Sequence, residues 1–205
     1  MSVKRPKIIA VVGPTASGKS EFAVKLAKKH NGEIISADSQ QVYKGIDVGT
    51  GKVRGRWIYK VKGSEKVFVY KGIPHHGISF VDPKKIYSAG EFKKYAEDKI
   101  KDIIGRGKTP IVVGGTGFWV DSLIYDFNLP EVPPDWSLRK KLEKKTSAQL
   151  FKLLEKLDPR RAGKIEKENP RRLIRAIEIA KKLGEVPDLK RKSRYRVSWI
   201  GLNPP

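Results

Sequence analysis

Short apolar runs alternate with helical patterns in the first part of the chain. Residues 7–12 consist of Lys7 and five consecutive apolar residues, a pattern typical of a strand buried on both faces of a parallel sheet. Apolar residues then recur at helical spacing over 21–30, and a second short apolar run follows at 33–36. This strand–helix–strand order predicts an α/β fold with a doubly wound parallel sheet. Two more buried strands are predicted, at 111–113 and 196–202.

The pattern changes twice beyond the second strand. Alternating apolar residues on both sides of a polar turn predict an inserted hairpin over about 57–70. Helical spacing takes over after Pro133 and Pro134. The last helix has well-marked limits, because Asn169 can cap its start, Pro170 suits its first position and Gly184 suits its stop. The helices predicted in this region are 137–145, 147–157 and 169–183.

These changes of pattern predict the domain organisation. We expect an α/β core with its hairpin over 1–129, a helical insertion domain over 130–189, and a return strand to the core over 190–205. Basic residues are densest per residue from position 135 onward. The helical insertion is therefore the stronger source of positive charge.

The charge balance points to the class of partner. Lys and Arg total 44 against 22 Asp and Glu, a formal net charge of +22. Such an excess favours a polyanion, nucleic acid first, although a solubilising basic surface would give the same balance. Cysteine is absent, which excludes a disulfide framework and thiolate chemistry. The sequence shows neither a membrane-length apolar run nor a signal-peptide pattern, so we expect a cytoplasmic protein with no membrane partner. We also expect a monomer.

The segment between the first strand and the first helix carries the clearest chemical motif. It matches the P-loop pattern G-x-x-x-x-G-K-[ST] in the strand–turn–helix context that the motif requires, which predicts a P-loop NTPase-like fold. Its glycines let backbone N–H groups converge on phosphate oxygens at a helix N-terminus. Lys19 would neutralise the outer phosphates, and the Ser20 hydroxyl would bind Mg²⁺. The predicted phosphate-binding residues are Gly13, Pro14, Thr15, Ala16, Ser17, Gly18, Lys19 and Ser20.

Further blocks of sequence, in a fixed order, carry a family resemblance. The most specific is the run from Asp38 to Tyr43 with the Gly49-Thr50 that follows it. The others are 74–76, 82–83, 114–119 and 169–179. Together with the P-loop, these blocks resemble the tRNA dimethylallyltransferase (IPP transferase) family over nearly the whole chain. The resemblance implies transfer of a dimethylallyl group from dimethylallyl diphosphate to the N6 amino group of the adenosine next to the tRNA anticodon, with release of diphosphate.

The resemblance also implies roles for individual residues. Asp38 would be the general base that takes a proton from the adenine amino group; a loop cap or a Mg²⁺ ligand is the alternative. Thr15 and Lys19 would act at the departing diphosphate. Thr116 would contact the reacting region, with a turn hydroxyl as its alternative. The residues expected to face the adenosine, lifted from the anticodon-loop stack, are Asp38, Ser39, Gln40, Gln41 and Thr116.

The helical segment carries the residues expected to hold the tRNA. Arg171 and Arg175 lie on one helix face. A solvated helix face is the alternative, but the density of cations favours binding to RNA phosphates. The tRNA contacts that the resemblance implies here are Arg139, Arg171, Arg172, Leu173, Ile174 and Arg175. His75 and His76 lack the further ligands of a metal site, which indicates a structural pair or a minor substrate contact.

The chain departs from the family pattern in several places, two of which affect its domain organisation. The hairpin at 57–70 is an addition, and family members usually continue beyond position 205, so we expect the C-terminal remainder to be absent. Three other functions stay open. They are a P-loop nucleoside or small-molecule kinase, in which Asp38 would activate a hydroxyl; an inactive RNA-binding remnant; and a prenyltransferase for free adenine nucleotides. The block from Asp38 to Tyr43 and the basic helices favour the tRNA prenyltransferase.

Overall fold

The computed structural model describes residues 5–59, 66–189 and 191–203. The chain divides into a core unit, Met1–Phe127 with Lys190–Pro205, and a helical unit, Asn128–Leu189. Within the described ranges, no helix combines the length and apolarity needed to cross a membrane.

Seven strands form one sheet in the core unit. They are β1 (Lys7–Val12), β2 (Gly32–Ser36), β3 (Arg56–Tyr59), β4 (Lys66–Tyr70), β5 (Ile73–His76), β6 (Thr109–Gly114) and β7 (Arg196–Gly201). Their order across the sheet is β3-β4-β5-β2-β6-β1-β7. Five neighbouring strands, β5, β2, β6, β1 and β7, run parallel to one another. At the other edge, β3 pairs antiparallel with β4, and β4 pairs antiparallel with β5. The predicted parallel sheet is therefore present, with an antiparallel extension at one edge.

Helices pack on both faces of this sheet. They are α1 (Lys19–Lys29), α2 (Ala89–Gly105) and α3 (Gly117–Ile124). Successive residues of a strand face opposite sides. Accordingly Ile8 and Ala10 pack in the cluster that contains α2 and α3, and Ile9 and Val11 pack in the cluster that contains α1. Burial on both faces explains why β1 reads as an unbroken apolar run.

A buried carboxylate, Glu33 of β2, binds one of the two adjacent histidines, His76. Glu33 is 2% exposed. It accepts hydrogen bonds from His76 Nε2, Arg106 Nη2 and Lys108 Nζ, each at 2.8 Å. Burial raises the pKa of Glu33, but the hydrogen bonds from these three partners outweigh burial and leave the pKa well below 4.5. His76 is thus a structural residue, bound to a carboxylate on the neighbouring strand.

The last strand fixes the start of the P-loop. β7 pairs with β1 from Lys7 opposite Arg196 to Val12 opposite Gly201. Just beyond β7, the amide of Leu202 donates to the carbonyl of Val12 at 2.8 Å. The carbonyl of Leu202 lies so close to Gly13 that a Cβ there would be 2.4 Å from it. Glycine is therefore required at the first position of the P-loop.

The predicted hairpin extends the sheet at its far edge. β3 pairs with β4, and β4 pairs with β5, which continues the sheet to β2. The polar turn predicted at 62–65 lies outside the described residues. β5 itself was not predicted, because Pro74 interrupts a short segment with little apolar alternation.

The helical unit contains four helices around its own core. They are α4 (Trp136–Leu142), α5 (Ser147–Leu157), α6 (Pro159–Ala162) and α7 (Pro170–Leu183). The largest fully buried side chains here are Leu150, Leu154, Leu173 and Ile177. As predicted for α7, the Asn169 side chain caps the start by accepting from the amide of Arg172, Pro170 takes the first position, and Gly184 ends the helix with a φ of 87°.

Two helix predictions in this unit were incomplete. α4 ends at Leu142 rather than at 145, because the chain turns there and the amide of Lys145 donates to the carbonyl of Leu142, three residues back, at 2.9 Å. Thr146 then takes the extended backbone of an N-cap and forms a capping box with Gln149. A helix cannot continue through such a residue. The one-turn α6 was missed, although Asp158 followed by Pro159 is the usual start of a helix.

Candidate active site

The P-loop joins β1 to α1 and lines a cavity. Gly18 precedes α1 with a φ of 78°, a left-handed conformation that glycine adopts without strain. The first N–H groups of α1 have no acceptor within the helix and can therefore bind an anion. Residues 15–20 line a cavity of about 280 Å³. Gly13 and Pro14 are not among its lining residues.

Lys19 lies at this cavity, bonded to its own loop. Its Nζ contacts the carbonyl of Pro14 and lies 3.4 Å from Ser17 Oγ. Burial lowers the pKa of Lys19, and the nearby charge of Asp38 opposes that change. A phosphate oxygen would offer the ammonium group a stronger acceptor than the Pro14 carbonyl, because it carries charge.

Asp38 lies on the wall of the same cavity. It follows β2, and its Oδ1 accepts hydrogen bonds from the amides of Gln40 at 2.9 Å and Gln41 at 3.3 Å. These two bonds fix the direction of the carboxylate. The structure therefore places a carboxylate beside the predicted phosphate-binding loop, as the sequence analysis expected.

The other residues expected to face the adenosine differ in their contacts. Gln41 lines the cavity and bridges two segments, since its Oε1 accepts from Ser36 Oγ at 2.9 Å and its Nε2 donates to the Thr50 carbonyl at 3.1 Å. Thr116 Oγ1 accepts from the amide of Ser39 at 3.1 Å. Gln40 is exposed. Gln41 and Thr116 thus hold the loop after β2 in place.

A close approach between β6 and the end of β2 makes the Thr116 contact possible. A Cβ at Gly114 would lie 2.1 Å from the carbonyl of Ala37. No other residue fits at position 114 without separating these strands. Gly114, the last residue of β6, is therefore required by the packing of the site.

Sequence reasoning missed several residues of the cavity wall. His75 lines it from β5, together with Ile78, Thr50 and Val53. The sequence singled out His75 only as part of the Pro74-His75-His76 block. That block did not indicate that the two histidines face opposite sides of the sheet. In the structure only His76 binds Glu33, whereas His75 faces the cavity.

Two of the predicted tRNA-binding arginines are engaged inside the helical unit. Glu178 of α7 is 3% exposed. It accepts two hydrogen bonds from Arg139, both at 2.7 Å, and one from Arg175 at 3.2 Å. Arg175 also donates to the carbonyl of Val132 at 2.8 Å. These arginines compensate a buried carboxylate, a structural role that the sequence analysis did not foresee.

The remaining predicted contacts of α7 separate into exposed and buried residues. Arg171 is exposed, and Arg172 is exposed and pairs with Glu166 at 2.8 Å. Leu173 and Ile174 are 0% and 7% exposed and pack in the core of the helical unit. As tRNA contacts these two residues stay a prediction, which the burial of their side chains does not favour.

Comparison with known proteins supports the resemblance. The IPP transferase family profile matches residues 41–205. The tRNA dimethylallyltransferase of Anoxybacillus flavithermus is 41% identical over 201 residues, which cover 96% of this chain and 61% of the relative. That of Oceanobacillus iheyensis is 41% identical over 205 residues, which cover 96% and 62%. The chain thus spans about three fifths of the length of these curated relatives.

Solved structures give the same assignment. A eukaryotic dimethylallyltransferase acting on tRNA has a TM-score of 0.73 and 31% identity, covering 96% of this chain and 48% of that protein. The full-length tRNA isopentenylpyrophosphate transferase from Bacillus halodurans has a TM-score of 0.57 and 39% identity, covering 97% and 60%. These matches confirm the predicted P-loop NTPase-like α/β fold with a helical insertion. The chain therefore belongs to the IPP transferase family.

Proposed function

We propose that this chain transfers a dimethylallyl group from dimethylallyl diphosphate to the N6 amino group of the adenosine next to the anticodon of tRNA. One observation carries the proposal: the phosphate-binding loop and the Asp38 carboxylate line the same cavity of about 280 Å³. A diphosphate leaving group and a nucleophile that must lose a proton need this pair of groups. The net charge of +22 and the exposed arginines of α7 favour a polyanionic acceptor.

In this proposal each residue of the cavity has a separate role. The P-loop amides and Lys19 hold the diphosphate. The bond from the dimethylallyl C1 to oxygen breaks as its bond to N6 forms, and the electron pair leaves with the diphosphate. The amino proton passes to Asp38. Hydrogen bonds to Asp38 Oδ1 from the following amides orient the carboxylate and leave Oδ2 for this proton.

A magnesium ion fits the chemistry of this cavity. Ser20 and Asp38 both line it, and a P-loop holds Mg²⁺ through a Ser or Thr hydroxyl together with phosphate oxygens and water. Such a site does not require a protein cage. This agrees with the described residues, which contain no cluster of three His, Asp or Glu able to bind a metal. We propose that Ser20 would hold a Mg²⁺ ion together with the diphosphate; such an ion would supply positive charge that offsets the charge of the leaving group.

A transfer assay tests the proposed function. The purified chain is incubated with unmodified tRNA and labelled dimethylallyl diphosphate, with and without Mg²⁺. We expect Mg²⁺-dependent label in tRNA and equimolar diphosphate release. Labelled free adenine nucleotide, or ADP formed from ATP in the presence of a nucleoside, would instead support the alternative prenyltransferase or the kinase. Tight tRNA binding with no transfer would identify an inactive RNA-binding protein.

Lys19→Ala should abolish diphosphate binding while leaving the fold intact. Its ammonium group is the cation of the P-loop, and alanine keeps helix propensity at the start of α1. Calorimetric titration with inorganic diphosphate measures the loss. Lys28→Ala is the matched control, since it removes the same charge from an exposed position on α1. Unchanged affinity in a folded Lys19→Ala protein would overturn the P-loop assignment.

Replacing Arg171 and Arg172 with Ala should weaken tRNA binding in a salt-dependent way. On a log–log plot of affinity against salt concentration, we expect the slope to flatten by up to about two units, since each phosphate contact contributes somewhat less than one. Arg175 stays in place because it compensates Glu178. Filter binding of tRNA over a range of salt concentrations measures the slope.

The matched control for this pair is Lys181→Ala with Lys182→Ala, which removes two exposed charges from the other end of α7. We expect its slope to stay near that of the unchanged chain. If both double variants flatten the slope equally, general charge holds the tRNA and the arginine pair has no special part in it.

A further inference from the structure

His75 has a buried nitrogen without a hydrogen-bond partner. The side chain is 4% exposed, and no donor or acceptor among the described residues reaches its Nε2. Leaving a buried polar atom unpaired is destabilising, because the atom has lost its water without gaining a partner. Such atoms are rare in native proteins and call for an explanation. His75 lines the same cavity as the P-loop, so a ligand in that cavity can supply the missing hydrogen-bond partner.

The other ring nitrogen determines what Nε2 can do. Nδ1 lies 2.9 Å from the carbonyl oxygen of Ile73. A carbonyl only accepts hydrogen bonds, so Nδ1 must carry the proton. In the neutral ring Nε2 is therefore an acceptor with a free lone pair. The rings of Phe68 and Tyr70 pack edge-on against His75, with centroids 6.4 and 6.0 Å away, and hold the imidazole in this orientation.

The surroundings keep the ring neutral in the absence of an anion. Burial lowers the pKa of His75, the hydrogen bond to the Ile73 carbonyl raises it, and the neighbouring His76 lowers it, so that the pKa lies below 6.5. Three charged groups share the cavity wall with it: Lys19, Glu21 and Asp38. Its own strand and the two strands paired with it carry Glu33 on β2, Lys66 and Tyr70 on β4 and His76 on β5, and Lys71 follows β4. Glu21 is already bonded to Tyr70 and Lys71.

A neutral acceptor is a poor neighbour for a diphosphate. Phosphate oxygens are acceptors themselves, so two lone pairs would face each other across a cavity of about 280 Å³. A nearby negative charge favours the cationic form of a histidine and can move its pKa by one to three units or so. One added proton turns Nε2 into a donor, pairs the orphaned nitrogen and neutralises part of the anion.

We propose that His75 is a further ligand-binding residue of this cavity, which takes up a proton when diphosphate binds and donates its Nε2–H to a diphosphate oxygen. This inference rests on the proposed function, since it needs a diphosphate on the P-loop. Protonation of His75 has two consequences for the reaction: the imidazolium adds a second positive charge to the cavity that Lys19 lines, and it offsets charge that develops on the departing diphosphate.

Calorimetric titration of the full chain with inorganic diphosphate tests the inference. The titration runs at pH 7.5 without Mg²⁺, in several buffers of different ionisation enthalpy. The observed heat plotted against buffer ionisation enthalpy gives the number of protons taken up. His75→Gln keeps a donor but cannot be protonated, and His75→Phe keeps a ring against Phe68 and Tyr70. Diphosphate's own protonation contributes equally to all three proteins, so the difference between them reports on His75.

We expect the unchanged chain to take up more protons than either variant, by up to about one per site. His75→Phe should bind diphosphate about ten- to a hundredfold more weakly, as loss of a charge-assisted hydrogen bond implies. His75→Gln should fall between the two in affinity. Melting temperatures near that of the unchanged chain show that the variants are folded.

Equal proton uptake in the three proteins would overturn the inference, whatever the affinities. If the unchanged chain binds diphosphate in a Lys19-dependent way and His75→Phe binds it equally well, the inference fails and the proposed function stands. If the unchanged chain binds no diphosphate either with or without Mg²⁺, both fail. In that case we also expect no transfer in the tRNA assay, whereas failure of the His75 inference alone leaves the transfer activity unchanged.

Discussion

Replacing Asp38 with Asn should lower the rate of prenyl transfer to tRNA by about two to four orders of magnitude. Asn keeps an acceptor oxygen for the amides of Gln40 and Gln41, so the loop after β2 should retain its shape. The amide cannot take the proton that leaves N6. Single-turnover transfer with both substrates saturating measures this step apart from binding, and we expect tRNA and diphosphate affinities to change little.

Asp82→Asn is the matched control for this change. Asp82 is an exposed loop aspartate, and its Oδ1 likewise accepts from the amide two residues on, Lys84, at 2.8 Å. It is not among the residues that line the cavity. We expect it to leave the rate unchanged. A full rate of transfer in the Asp38→Asn protein would make Asp38 a loop cap and nothing more.

Glu33→Gln should destabilise the core unit by about 3 kcal/mol. Removing one partner from a buried ion pair costs roughly 3–5 kcal/mol, and the lower end applies because Arg106 and Lys108 are about a third exposed and can regain water. For a chain of this size, that corresponds to a fall in melting temperature of about 6–12 °C. Glu155→Gln, an exposed site on α5, is the control.

The effect of Glu33→Gln should also depend on pH. The pKa of Glu33 is held below its unfolded value near 4.5, so the carboxylate contributes its full stabilisation above that pH. The contribution is lost as the pH falls through the folded pKa. The two proteins should therefore melt furthest apart near neutral pH and draw together in acid. A constant difference at every pH would show that the charge of Glu33 is not what stabilises the unit.

The features that local sequence determines were predictable. The apolar run of β1, the P-loop glycines and the caps of α7 each follow from a few adjacent residues, and all appear in the structure. The place of Asp38 at the phosphate cavity also followed, because residues at the carboxyl ends of parallel strands meet at one edge of a sheet.

The features that depend on distant partners were not predictable. Arg139 and Arg175 looked like free cations until Glu178, far along the chain from Arg139, was seen to bind them both. In the same way, the opposite directions of His75 and His76 depend on β5 pairing with β2, where Glu33 meets only one of them. Charge and spacing in a sequence do not reveal which cations are already compensated.

The pairing of β1 with β7 also has a consequence for the biosynthesis of this protein. Val12 and Gly13 are contacted by Leu202, a residue made after the whole helical unit. Contacts this distant in sequence form late, because closing a long loop costs entropy that only later contacts repay. During translation the helical unit can fold before β7, the edge strand that pairs with β1, has been made. Ribosome-bound chains of increasing length should accordingly gain diphosphate binding only once Leu202 has left the exit tunnel.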